Sequence, residues 1–213
     1  MKVCIIGFPR SRSSILLETI STYYGIEILG EDINLLNKRH GDTYLKLLHN
    51  FLTKHQSKTD GVIRFHPLQM MSDHPFSIIN FDWFNFKQYD KIYFTFRESI
   101  VDNIASAFVA DKLQHTYKSK NQLSNNVKFC FPDDDNRYIR DHFRSMEIVN
   151  SLKKYLEINN INSEDLYYND IPEYLSCNFP NITTSHVKTD YDYKTMIVNY
   201  SKIENYYNNY GNI

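Results

Sequence analysis

Eight consecutive residues concentrate the chemistry of this chain: Gly7-Phe8-Pro9-Arg10-Ser11-Arg12-Ser13-Ser14. They follow an apolar run, Val3 to Ile6, that reads as a buried strand, and they precede a helical pattern starting at about Ile15. Gly7 and Pro9 break the strand. Strand, tight turn and helix N-terminus together make an anion site, because free backbone N–H groups and the helix dipole point at one spot. Arg10 and Arg12 add positive charge, and Ser11, Ser13 and Ser14 add donors. The ligand chemistry this predicts is phosphate or sulfate.

Two further segments could join that site. Arg64 and His66 close the apolar run Val62 to Phe65. Two apart on a strand, they face the same way. An unperturbed histidine titrates at about pH 6.5, which suits a base that deprotonates a hydroxyl as it attacks. Arg97 ends the run Lys91 to Phe96, and Ile100, Ile104, Ala107 and Phe108 then recur at helical spacing.

The elements that must position these residues alternate. After the first loop, Leu16, Ile20 and Tyr23 share a helical face, and Gly25 is placed to stop that helix. Ile26 to Leu29 read as a short second strand, followed by Gly30-Glu31-Asp32. Leu45, Leu48 and Leu52 mark an amphipathic helix over about 42–56. Val62 to Phe65, Lys91 to Phe96 and Leu166 to Tyr168 read as third, fourth and fifth strands. A long helix is predicted over about 135–157, and a closing helix near Met196, Tyr200, Ile203 and Tyr207. The Pro-Asp-Asp-Asp run at 132–135 reads as a helix N-terminal cap rather than a metal site. Alternating strands and helices imply an α/β fold of three layers, with a central, mostly parallel sheet. Ligands in such sheets bind beyond the carboxyl ends of the strands, where loop 7–14, Arg64 to His66 and Arg97 all fall. No internal repeat or linker divides the chain, so 1–213 reads as one domain.

A standard ATPase or GTPase is disfavoured. A Walker A loop needs a second glycine and a lysine, and Gly7 is followed by neither at the required spacing. The strand at 91–96 ends in Arg97 where a magnesium-binding Asp would stand.

The segment Gly7 to Leu17 resembles the sulfate-side loop of the sulfotransferases, roughly Gly-x-Pro-Arg/Lys-Ser-Gly-Thr/Ser-Thr/Ser followed by apolar residues. It matches at Gly7, Pro9, Arg10, Ser11, Ser13 and Ser14, and departs at Arg12, where that family usually has Gly. If position 12 needs a positive φ, Arg carries a strain that Gly avoids, while its side chain can add an anion contact. Lys91 to Phe108 resembles the family's strand ending in Arg, with a helical Ser about eight residues on; both bind the 3′-phosphate. Arg97 fits, Ala105 holds the eighth position, and Ser106 or Ser99 is the hydroxyl candidate, with Ser106 preferred. Ile63 to Leu68 is similar to the Lys-Thr-His-Leu-Pro segment of cytosolic members, which casts His66 as general base and Arg64 as stabiliser of the transferring group. Some members use Glu, and Glu31 is the rival base. Leu166 to Ile171 weakly resembles a Tyr-Glu-Asp-Leu segment and reads equally as a strand followed by an Asp-capped helix, with no site role.

The resemblance implies a P-loop nucleotide-kinase-like sulfotransferase fold. It implies transfer of a sulfuryl group from 3′-phosphoadenosine 5′-phosphosulfate to a hydroxyl or amine, leaving adenosine 3′,5′-bisphosphate. The acceptor would be a small molecule or glycan, with no metal required; its pocket is expected from loops 67–88 and 113–135. Two rival readings are an atypical phosphotransferase and a non-catalytic nucleotide-binding protein of the same fold.

Composition narrows the classes. A net charge of −1 argues against a general nucleic-acid binder. Cys4, Cys130 and Cys177 are odd in number and widely spaced, which indicates neither a disulfide framework nor a zinc site. No apolar stretch reaches the roughly 20 residues of a membrane span, and the N-terminal strand leaves no room for a signal peptide. A cytoplasmic protein is therefore expected. The 15% aromatic content fits ligand stacking or the codon bias of an AT-rich genome equally well.

Overall fold

The structure is a computed structural model and describes residues 1–8, 10–29, 41–71, 80–116, 127–132, 137–183 and 193–210. Four strands form one all-parallel sheet: β1 (Lys2–Gly7), β2 (Gly61–Phe65), β3 (Lys91–Phe96) and β4 (Glu164–Tyr167). Their spatial order is β2-β1-β3-β4. The chain therefore moves from β1 to one side of the sheet and then returns past β1 to build the other side. The connections leaving β1 and β3 run in opposite directions, which makes the space beyond their carboxyl ends a topological switch point.

Side-chain alternation along β1 explains the layers. Val3 and Ile5 face α1 (Ser13–Tyr24) and α5 (Ile171–Asn178), packing with Leu16, Leu17, Ile20 and Ile171. Cys4 and Ile6 face α2 (Gly41–Gln56) and α4 (Arg137–Ile158), packing with Leu48, Leu52, Val149 and Leu152. A third apolar cluster joins α3 (Ile100–Thr116), α6 (Tyr193–Met196) and α7 (Tyr200–Tyr210) through Ile104, Phe108, Met196 and Ile203. No helix among the described residues is long and apolar enough to cross a membrane.

Most of the expected elements form close to the expected boundaries. Gly25 ends α1 in the left-handed region at φ 62°, its N–H donating to the Ser21 carbonyl. The expected strand at Ile26 to Leu29 does not form: Ile28 makes an isolated bridge to Val62, supported by Leu29 N–H to Val62 O (2.8 Å) and Val62 N–H to Glu27 O (2.9 Å). Leu29 instead turns its side chain into the core, where it fills the space above Gly61. Pro9, Glu31, residues 72–79 and 117–126, and Asp133 to Asp135 of the acidic run lie outside the described residues.

Lys2 fixes the far end of the sheet. Its buried ammonium donates to the carbonyls of His55 (2.9 Å) and Lys58 (2.8 Å) and to Gln88 Oε1 (2.7 Å). The His55 contact places a cation at the carbonyl end of α2, where the helix dipole favours it.

Candidate functional site

Close packing at Gly7 shapes the loop. A Cβ at this position would lie 2.6 Å from Ser13 Cβ and 3.1 Å from Thr95 Oγ1. Only glycine lets β1 run this close to the start of α1. The loop then folds onto β3: Phe8 N–H donates to the Thr95 carbonyl (3.3 Å), and the buried Ser11 hydroxyl donates to the Phe8 carbonyl (2.6 Å) beside Thr95 Oγ1 (2.7 Å). Ser11 thus ties the loop together, and its hydroxyl is engaged within the protein.

Arg10 and Arg12 both adopt left-handed backbone, at φ 61° and φ 62°. Arg12 occupies the conformation that glycine adopts without strain. Its carbonyl accepts the first helical bonds, from Ile15 (3.1 Å) and Leu16 (3.2 Å), and no side chain caps α1. Among the described residues no N-cap side chain covers the amides ahead of Ile15, those of Ser13 and Ser14, the condition for binding an anion at a helix N-terminus.

The two arms of the crevice carry the remaining predicted residues. On the β2 side, Arg64 donates to the Ser14 hydroxyl, joining two of them across the β2–α1 junction. His66 caps the short 3-10 turn Pro67–Met70: its Nδ1 accepts from Leu68 N–H (3.2 Å), and its own N–H donates to Gln69 Oε1 (2.6 Å). A neutral imidazole with Nδ1 accepting carries its proton on Nε2. On the β3 side, Arg10 Nε donates to Ser106 Oγ (3.4 Å), whereas Ala105 is fully buried in the third apolar cluster. Ser99 accepts from Asp102 N–H (3.1 Å) at the start of α3 and serves as that helix's cap.

Arg97 meets a residue that sequence reasoning left without a role. Its guanidinium carbon lies 4.5 Å from the centre of the Tyr168 ring and 5.1 Å from that of Tyr193, and it donates to the Tyr193 hydroxyl (3.1 Å). Arg12 reaches the same tyrosine: its guanidinium carbon is 3.8 Å from the Tyr168 ring centre, and it donates to the Tyr168 carbonyl (2.6 Å). Tyr168 directly follows β4, so all four strands contribute to this edge. Asp170 holds the N-cap position of α5, but among the described residues its side chain makes no capping bond.

A cavity of about 230 Å³ opens beside the loop on the α4 face, lined by Phe8, Phe96, Arg97, Met146, Lys153 and Tyr167, with His142 in its wall. Among the described residues it is built from strand ends, α3 and α4. His142 is 8% exposed, its Nδ1 lies 3.2 Å from Asn103 Oδ1, and its buried Nε2 makes no hydrogen bond among the described residues. Burial lowers its pKa from 6.5 to about 4, so the ring is neutral at pH 7. The position of His142, mid-helix and far from the strand ends in sequence, gave no signal of this placement.

Compared with known protein families and with curated proteins, the chain matches none.

Proposed function

We propose that this chain is a sulfotransferase that moves a sulfuryl group from 3′-phosphoadenosine 5′-phosphosulfate to a hydroxyl or amine of a small-molecule or glycan acceptor. The observation that supports this reading most is adjacency. Strands β2, β1 and β3 lie side by side, so Arg64 and His66, the loop Phe8 to Arg12, and Arg97 with Ser106 share one carboxyl edge. These are the three segments that carry the sulfotransferase resemblance. The left-handed Arg12, standing where that family has glycine, adds to it. On this reading the sheet belongs to the P-loop nucleotide-kinase-like class and the enzyme works in the cytoplasm.

The roles follow from charge and position. The first-turn amides of α1 and Arg10 hold the 5′ side of the donor. Arg64, anchored by Ser14, offsets negative charge that spreads over the transferring oxygens. Such preorganised stabilisation is usually the largest catalytic term. Arg97 and Ser106 hold the 3′ side. The acceptor oxygen or nitrogen attacks sulfur in line, the bond to the bisphosphate breaks, and the acceptor proton passes to a base. The capped tautomer leaves His66 Nε2 protonated and buried, which counts against the histidine as the base and keeps Glu31 as the rival. The cavity beside Phe8 and Phe96 is the proposed acceptor pocket.

The same capping bond also favours a second reading, a nucleotide-binding protein of this fold without turnover. Incubation with radiolabelled donor and a panel of phenols, alcohols, amines and sugars separates the two. Acceptor-dependent release of adenosine 3′,5′-bisphosphate supports transfer. Tight bisphosphate binding without any release supports the second reading.

A further inference from the structure

Two cations share one aromatic ring at the switch point. The distances of Arg12 and Arg97 to the Tyr168 ring bound their guanidinium carbons to within about 8 Å of each other. Neither arginine forms an ion pair among the described residues. The ring face offsets part of their mutual repulsion, since its quadrupole attracts guanidinium. The tyrosine is itself tied to the strand that carries Arg97: Tyr168 N–H donates to the Phe96 carbonyl (2.9 Å), and Asn169 N–H to Glu98 Oε1 (2.8 Å). The ring therefore holds two partly exposed guanidiniums in place without neutralising either.

We propose that Arg12 and Arg97 form a two-guanidinium clamp for a single phosphate monoester dianion, with Tyr168 as its positioning residue. Within the sulfotransferase reading, on which this assignment to a nucleotide rests, the clamped group is the 3′-phosphate of the donor. Guanidinium suits the task because it stacks on an aromatic face while presenting a fork of donors at its edge. The clamp also accounts for arginine at position 12. Its left-handed backbone turns the side chain away from the axis of α1 and across to the carbonyl of Tyr168, 156 residues later in the chain.

Selectivity for the 3′-phosphate is the readout. Binding of adenosine 3′,5′-bisphosphate and of adenosine 5′-monophosphate is measured by calorimetry on the wild type and on Arg12→Ala, Arg12→Lys, Tyr168→Phe and Tyr168→Leu. The clamp predicts that Arg12→Ala and Tyr168→Leu lose at least tenfold of the preference for the bisphosphate, with monophosphate affinity little changed. Tyr168→Phe keeps the preference, since the ring and the backbone carbonyl remain, and Arg12→Lys keeps only part of it. An unaltered preference in Arg12→Ala overturns the clamp while leaving the donor assignment standing. If the wild type binds no bisphosphate, thermal melting with inorganic phosphate decides. Stabilisation of wild type but not of Arg12→Ala or Arg97→Ala upholds the clamp and sinks the donor assignment, and no stabilisation overturns both.

Discussion

Gly7 and Ser13 approach so closely that a single added methyl on Gly7 would lie 2.6 Å from Ser13 Cβ, with Thr95 Oγ1 only 3.1 Å away. The contact sets how β1 hands over to α1 and thereby where the first-turn amides point. Ser13 Cβ is fixed by the helix backbone, so it cannot swing aside as the end of a long side chain would. Gly7→Ala is therefore expected to lower stability by about 1–3 kcal/mol, the usual cost of overpacking, and to abolish nucleotide binding even where the variant is folded. Chemical denaturation and a binding titration on the same sample check both halves.

Arg97→Ala and Arg10→Ala should each weaken binding of adenosine 3′,5′-bisphosphate. Each removes a charge-assisted hydrogen bond, about 1.5–3 kcal/mol, or roughly tenfold to a hundredfold in Kd. The melting temperatures of the unliganded variants should stay near that of wild type, because Arg10 is exposed and Arg97 is partly exposed, packing on the Tyr168 and Tyr193 rings at the edge of the sheet. Unchanged affinity in both variants would remove the site from this edge of the sheet.

The cap at His66 separates two roles that a sequence cannot. With Nδ1 accepting from Leu68, the ring offers a proton at Nε2 rather than a lone pair. His66→Gln, which can still donate, should retain kcat within about tenfold, whereas Glu31→Gln should lose the 10²–10⁴-fold typical of general-base removal. Steady-state kinetics with bisphosphate affinity as the control decides. A large loss in His66→Gln beside an active Glu31→Gln would return the base role to the histidine.

His142 makes stability depend on pH. Its folded pKa, about 4, lies below the ordinary 6.5, so between these values the unfolded chain binds a proton that the folded chain refuses. Stability from this group is complete above about pH 6.5 and drains away as pH falls to about 4, up to about 3 kcal/mol in all. Urea titrations at pH 7.5, 5.5 and 4.5 should show a steeper acid loss for wild type than for His142→Gln. Parallel curves would show that the ring does not titrate in this way.

Much of this architecture was legible because its signals are local. The apolar runs at Val3, Val62 and Lys91 give way to Gly7, His66-Pro67 and Arg97, where glycine, proline or a charge ends the apolar pattern, and all three strands form there. Gly25 marks the end of α1 by its conformational freedom alone. The choice between Ser106 and Ser99 needed the structure of α3, which turns Ser106 to Arg10 while Ser99 accepts from Asp102 N–H at the helix start. Ile26 to Leu29 misled because an apolar run of four reads the same whether it pairs fully or contributes one bridge and a core leucine. Tyr168 was missed for a different reason. Stacking of Arg12 and Arg97 on one ring joins three distant segments and leaves no periodicity in any of them.

Calorimetric titration with adenosine 3′,5′-bisphosphate, beside magnesium ATP and ADP, tests the central claim most directly. The crevice at the ends of β2, β1 and β3 predicts micromolar binding selective for the bisphosphate. Selective binding of magnesium ATP would contradict the account and make this chain a phosphotransferase.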